Sequence, residues 1–199
     1  MPTVTVTESI DIRASRQEVW AIISNVEKRM RLSPLWDVVS VEPLTPGPYG
    51  LGSRYRVHLH RNEVDIRYES EAVEFVEGRR VSHQLTVERG TRTTWSLLDC
   101  ALGTRLMYQD DFQAGDDEAE RALIQAVHEN TRWWLETIKQ YVEWRGSLSL
   151  RLWRWVYDRF LLGLPPFQRR RIVFILLLQL GAAFTFICVA LLLGMTMGR

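Results

Sequence analysis

Few side chains in this 199-residue chain combine the type and spacing that chemistry needs. The best set is His83, Asp110 and two tyrosines, Tyr68 and Tyr108. Each falls in a segment where apolar and polar residues alternate, and the alternation places each on its segment's apolar side. The three sides read Ile66, Tyr68, Ser70 and Ala72; Val81, His83, Leu85 and Val87; Leu106, Tyr108, Asp110 and Phe112. An imidazole that takes a proton, a carboxylate that orients it and a phenol that holds an oxyanion would serve a cyclisation or dehydration. His83, Asp110 and Tyr108 are therefore the catalytic candidates, on the condition that no β-bulge turns one of them away.

Other polar clusters carry less. His58 and His60 share a strand face, but Arg54 and Arg56 share it too and would repel a dication, and no third ligand is evident. Asp110-Asp111 and Asp116-Asp117-Glu118 lack calcium-loop spacing. No metal and no cofactor is expected. Cys100 has no activating neighbour, and with Cys188 it makes no disulfide framework. A net charge of +1 argues against a nucleic-acid partner.

The same inward faces describe a binding site. Tyr55, Val57, Tyr68, His83, Leu85, Trp95, Leu97 and Tyr108 on strands, with Trp134 and Ile138 on a helix, give an apolar lining with sparse polar groups. The competing reading is a solid core filled by these same aromatics.

The elements that must position these residues are legible. Residues 3–12 alternate as a half-buried strand. Ser15 with Glu18 forms a capping box, opening a helix through Val19, Trp20, Ile22 and Ile23, followed by a short polar stretch to Ser33-Pro34. Six strand-like segments follow, at about 36–43, 53–61, 64–76, 80–89, 92–101 and 104–113. Their short separators imply antiparallel neighbours. A long helix runs from Asp116 to about Arg145, with Ile124, Val127, Thr131, Trp134, Ile138 and Tyr141 on one face. The fold class is α+β, a seven-stranded antiparallel sheet with one face closed by the long helix.

Over about residues 3–145 the chain resembles the START-like (SRPBCC) superfamily, in particular its polyketide cyclase/dehydrase and lipid-transport branch. The pieces that carry the resemblance are IDIRASRQEVWAIISNVEKRMRLSPLWDVVSVE, GLGSRYRV, WSLLDCALGTRLMYQDDF and NTRWWLETIKQYVE. The resemblance implies a helix-grip fold, in which the sheet wraps the C-terminal helix around an apolar cavity. It implies no required metal or cofactor, and covers binders, transporters and cyclases alike.

Charge divides the chain further. Residues 1–144 carry a net −6, residues 145–171 a net +6, and beyond them only Arg199 is charged. The expected organisation is a ligand-binding domain at 1–145, a basic amphipathic neck at 146–171 and a transmembrane helix at 172–197. The uncharged run from Ile172 to Met195 would span about 36 Å as a helix, against about 30 Å of bilayer hydrocarbon. Arg169, Arg170 and Arg171 before it place the body on the cytoplasmic side, held by a single-pass C-terminal anchor. In the neck, Arg151, Trp153, Arg154 and Trp155 suit a helix lying on the membrane, with packing against the body as the alternative. Small-residue pairs, Gly181 with Thr185 and Ala190 with Gly194, suit weak self-association of the span.

Three functions follow from this organisation. The first is membrane-anchored binding, transport or sensing of a small hydrophobic or lipid-like ligand. The second is a cofactor-independent cyclase or dehydratase acting on a polyketide-like or other apolar substrate. The third is a membrane scaffold with a vestigial cavity.

Overall fold

A computed structural model of the chain describes residues 3–61, 64–87, 90–115 and 118–197, and within these every side chain except those of residues 61, 180 and 187–197. The chain opens with β1 (Thr3–Ile12), α1 (Arg16–Ile23) and α2 (Val26–Arg31). Six strands follow: β2 (Asp37–Pro43), β3 (Arg54–Arg61), β4 (Val64–Val76), β5 (Arg80–Leu85), β6 (Arg92–Cys100) and β7 (Gly103–Gln113). Then come α3 (Glu118–Glu143), α4 (Leu148–Val156), a π-helical turn (Tyr157–Leu161) and α5 (Pro166–Met197).

The seven strands make one antiparallel sheet in the order β1-β7-β6-β5-β4-β3-β2. Every neighbour is sequential except β1, which returns to the far edge against β7, from Thr3 opposite Gln113 to Ile12 opposite Thr104. The β6–β7 turn is pressed against the end of β1. At Gly103, with φ of 135°, a Cβ would come within 2.7 Å of the Ala14 carbonyl and 2.8 Å of the Ile12 carbonyl, so only glycine fits. The face covered by α3 holds the main core: Ile12, Val19, Ile23, Trp95, Leu106, Leu135 and Ile138 are all buried. Helix α1 begins as its capping box requires, with the Ser15 amide donating to Glu18 Oε2 at 2.9 Å.

Two local expectations need correction. The polar stretch after α1 is a second helix, α2. Asn25 caps it by accepting from the Lys28 amide at 2.9 Å, and Val26, Arg29 and Met30 form its buried stripe at helical spacing. Six residues containing four charges hide so short an apolar period. Strand β5 ends at Leu85 instead of continuing to 89; the Thr86 amide still donates to the Glu69 carbonyl at 2.9 Å, but the Glu69 amide donates to Thr86 Oγ1 at 2.7 Å, the side chain taking a place in the ladder.

The neck folds back on the body along one side. The Tyr141 hydroxyl donates to Asp158 at 2.8 Å, Lys28 Nζ reaches the same carboxylate at 3.2 Å, and the Arg154 guanidinium lies 4.5 Å over the Tyr141 ring. Trp153 meets Trp144 edge-on at 6.3 Å, and Arg145 pairs with Glu18. Arg169 is only 7% exposed and donates to the Tyr157 hydroxyl, while Arg170 donates to the Pro34 carbonyl and covers Trp133. Of the seven side chains expected to meet lipid, Arg154, Trp153, Arg169 and Arg170 are thus engaged by protein, because α4 and the start of α5 dock on α2 and α3. Arg151, Trp155 and Arg171 face outward. Trp155 does so with Leu148, Leu152 and Phe160, an exposed apolar face.

Helix α5 continues without interruption to Met197. Among the described residues no helix is long and apolar enough to cross a membrane. The expected span at 172–197 continues past Phe186, so its second half, with the Ala190 and Gly194 pair, lies outside the described side chains. The Thr185 hydroxyl is satisfied within its own helix, donating to the Gly181 carbonyl at 2.9 Å.

Candidate functional site

Between the sheet and α3 lies a cavity of about 260 Å3. Its apolar wall comes from alternate positions of successive strands, as period-two patterning requires: Val57 and Leu59 on β3, Ile66 and Tyr68 on β4, Trp95 on β6, Tyr108 on β7. Trp134 reaches it from α3 and Val26, Arg29 and Met30 from α2. Trp95 is the centre of the aromatic floor, 4.6 Å from Tyr108 and 5.0 Å from Trp134, both edge-on. Such T-shaped contacts fix ring positions as well as burying area.

Of the residues expected to bind ligand, Val57, Tyr68, His83, Leu85, Trp95, Tyr108 and Trp134 line this cavity, and so does Asp110. Tyr55, Leu97 and Ile138 do not. Tyr49, from the segment between β2 and β3, stands between Tyr55 and the site: its ring meets Tyr55 edge-on at 6.0 Å and stacks on His83 at 6.1 Å. Tyr55 instead borders a surface depression with Trp20 and Phe75. Leu97 has the right strand phase but sits where α1 covers β6, and it is sealed in the core. Ile138 lies one helical turn beyond Trp134 and is fully buried in the same core.

The His83–Asp110 pair is not assembled. Both face Thr93 of β6, one from β5 and the other from β7. They are therefore two strand spacings apart, roughly 10 Å. His83 is 1% exposed, and both its ring nitrogens are taken. Ser70 Oγ lies 2.9 Å from Nδ1, the Tyr49 hydroxyl 2.7 Å from Nε2, and Arg29 Nη2 3.4 Å from Nε2. A guanidinium only donates, so Nε2 accepts and the ring proton sits on Nδ1, toward Ser70. Burial, and then the Arg29 charge, push His83 down to about 2, so it stays neutral and is no general base near neutral pH.

Asp110 has the opposite character. Burial pushes its carboxyl up to about 7; the Tyr108 hydroxyl pulls it down in part, and Asp111 adds to the rise. Its Oδ1 is buried without a hydrogen-bond partner among the described residues. Tyr68 is pushed up to about 12 by burial, and Tyr108 well above its usual value for the same reason, so both are neutral phenols. Among the described residues no group of three or more His, Cys, Asp or Glu could hold a metal ion. His58 and His60 face Asp65 instead, at 3.3 and 2.9 Å.

The residue the sequence reading misses is Arg29. It is 4% exposed, lines the cavity, and lies 5.2 Å over the Trp95 ring. Its Nη1 donates to the Ile23 carbonyl at 2.7 Å, and Trp134 Nε1 donates to the Arg29 carbonyl at 3.1 Å, tying α2 to α3. The signal that could have found it is the Asn25 cap, which makes positions 26, 29 and 30 one face.

An antiparallel sheet gripping a long helix, with a cavity between them, defines a helix-grip fold. The profile of the family described as polyketide cyclase / dehydrase and lipid transport matches residues 3–146, and the chain belongs to that family. No curated protein matched the sequence. Among solved structures, the ZhuI aromatase/cyclase from Streptomyces sp. R1128 is similar at 18% identity and a TM-score of 0.60, covering 74% of this chain and 98% of its own. Ara h 8.0201 gives 15% identity, a TM-score of 0.56, and coverage of 71% and 98%. TTHA0849 from Thermus thermophilus gives 20%, 0.55, and 73% and 100%. At these identities the likeness establishes the fold.

Proposed function

We propose that this chain binds a small hydrophobic ligand in the sheet–helix cavity while its C-terminal helix holds it at a membrane, the body facing the cytoplasm. The cavity itself carries the binding half: about 260 Å3, walled largely by aromatic and aliphatic side chains, with Arg29, Ser70, His83, Thr91, Thr93 and Asp110 as its polar groups. That is near the small end of ligand sites and suits a molecule of one or two rings. The test is native mass spectrometry of detergent-extracted protein, with calorimetric titration of a neutral probe, naphthalene. Co-purified small molecules and saturable probe binding, both lost in Leu85→Trp, are expected. Wild-type protein that takes up no probe, purified empty, would refute a binding cavity.

The membrane half is supported by the uncharged run Ile172–Met195 within the continuous α5, and by the outward apolar face of α4. A tethered body meets the cytoplasmic leaflet intramolecularly, so exchange of an apolar ligand with the bilayer needs no passage through bulk water. Deleting residues 172–199 is expected to move the protein from the alkali-resistant membrane fraction to the supernatant. Recovery of the full chain in the supernatant without detergent would overturn the anchor.

One observation favours a second reading, a cofactor-independent cyclase or dehydratase. Asp110 is a cavity carboxyl raised to about 7, with an unpartnered oxygen beside the Tyr108 phenol. A carboxyl with that affinity for protons suits acid–base work near neutral pH. Turnover of a polyketide-like substrate that Asp110→Asn abolishes, with binding retained, would favour it over binding alone.

A further inference from the structure

We propose that the ligand of this cavity is a small apolar acid whose carboxylate seats on the Arg29 guanidinium; the inference rests on the cavity being a binding site. Arg29 is a buried cation, and no acidic side chain pairs with it among the described residues. Among the described residues the groups that meet its charge are neutral: the Ile23 carbonyl, the His83 imidazole, the Tyr49 hydroxyl and the face of Trp95. Its Nε is buried without a hydrogen-bond partner among the described residues. A guanidinium keeps its charge, so burial without a counter-ion leaves an uncompensated desolvation cost. A carboxylate in the cavity would supply the missing charge and the missing acceptor together, and the planar fork suits it for two parallel hydrogen bonds.

The surroundings hold this cation in place and keep it unpaired. With its proton on Nδ1, toward Ser70, the His83 imidazole offers Arg29 a lone pair and no competing charge. The Trp95–Trp134 pair holds the guanidinium from the side, and Trp134 Nε1 anchors its backbone. Asp110, the carboxyl in the cavity lining, stands on β7, and no ion pair joins it to Arg29 among the described residues. Elsewhere on the wall Val57, Leu59 and Trp95 offer apolar contact to the rest of the ligand.

The test compares 2-naphthoate with its neutral isostere 2-naphthamide on the full chain in detergent, with free ligand measured by equilibrium dialysis. Wild-type protein is expected to bind the acid about tenfold to hundredfold more tightly than the amide, the range of a charge-assisted bidentate contact. Arg29→Met is expected to abolish that preference, so that acid and amide bind with equal affinity, and Arg29→Lys to keep part of it. Equal wild-type affinity for the two probes, or a preference that survives in a folded Arg29→Met protein, would overturn the proposal and leave the binding cavity standing. If neither they nor naphthalene binds, the cavity reading itself fails. The wild-type comparison decides even if Arg29→Met does not fold.

Discussion

His83 and Asp110 place opposite proton demands on folding, and the two can be separated by mutation. The folded chain holds His83 neutral down to about pH 2, because of burial and the Arg29 charge, while an unfolded histidine titrates near 6.5. Between those values the unfolded chain carries the extra proton, so this site makes stability rise with pH by about 1.4 kcal/mol per unit. Asp110 is raised to about 7 from 3.8, chiefly by burial. Between about 4 and 7 the folded chain carries the extra proton, so this site makes stability fall with pH at the same rate. From about pH 4.5 to 6.5 the two slopes oppose each other and nearly cancel.

The perturbations are Asp110→Asn and His83→Gln, followed by chemical denaturation of the full chain in detergent at pH 4.5, 5.5 and 6.5. Asp110→Asn leaves the His83 slope alone, and the protein is expected to lose about 3 kcal/mol on acidification across that window. His83→Gln leaves the Asp110 slope, and that protein is expected to gain up to about 3 kcal/mol over the same window. Wild type and the double variant should both be nearly flat. Identical pH slopes in all four proteins would refute the burial assigned to both groups.

Three further outcomes follow from the packing. Gly103→Ala should destabilise by about 2–3 kcal/mol by denaturation, because its methyl meets the Ile12 and Ala14 carbonyls at a positive φ. Leu85→Trp should block uptake of naphthalene with little change in Tm; a loss of stability of about 1–3 kcal/mol would mean overpacking of a filled interior instead. Asp158→Asn should speed hydrogen exchange in α4, read by mass spectrometry, since it removes the charge that Lys28 and Tyr141 hold.

The sheet was legible because its signal repeats. From Thr3 to Gln113 each strand alternates on its own, and short turns leave an antiparallel meander as the simplest pairing. Phase was enough to bring Tyr68, His83 and Tyr108 to one cavity, because period-two side chains do not depend on which strand lies next. Phase alone does not weigh distance across the sheet. His83 and Asp110 have matching phase, but the meander itself puts β6 between them, two strand spacings that phase leaves out of account. Phase likewise cannot tell that α1 covers Leu97, or that Tyr49 stands between Tyr55 and the cavity.

Arg29 was hidden for a different reason. Reading by hydrophobicity assigns an arginine to the solvent, because burying a cation is ordinarily too costly. On α2 that rule fails at one position of a buried stripe, flanked by Val26 and Met30. A buried charge without a counter-ion contributes little to stability, so its burial needs a reason outside the folding of the chain. Arg169 is buried too, and its Nε is likewise without a partner among the described residues; what differs is that its Nη1 donates to the Tyr157 hydroxyl, joining the neck to α5. One violation of the pattern holds the architecture together. The other lines the sheet–helix cavity beside Trp95, and there the proposed carboxylate of the ligand, more than the fold, accounts for the residue.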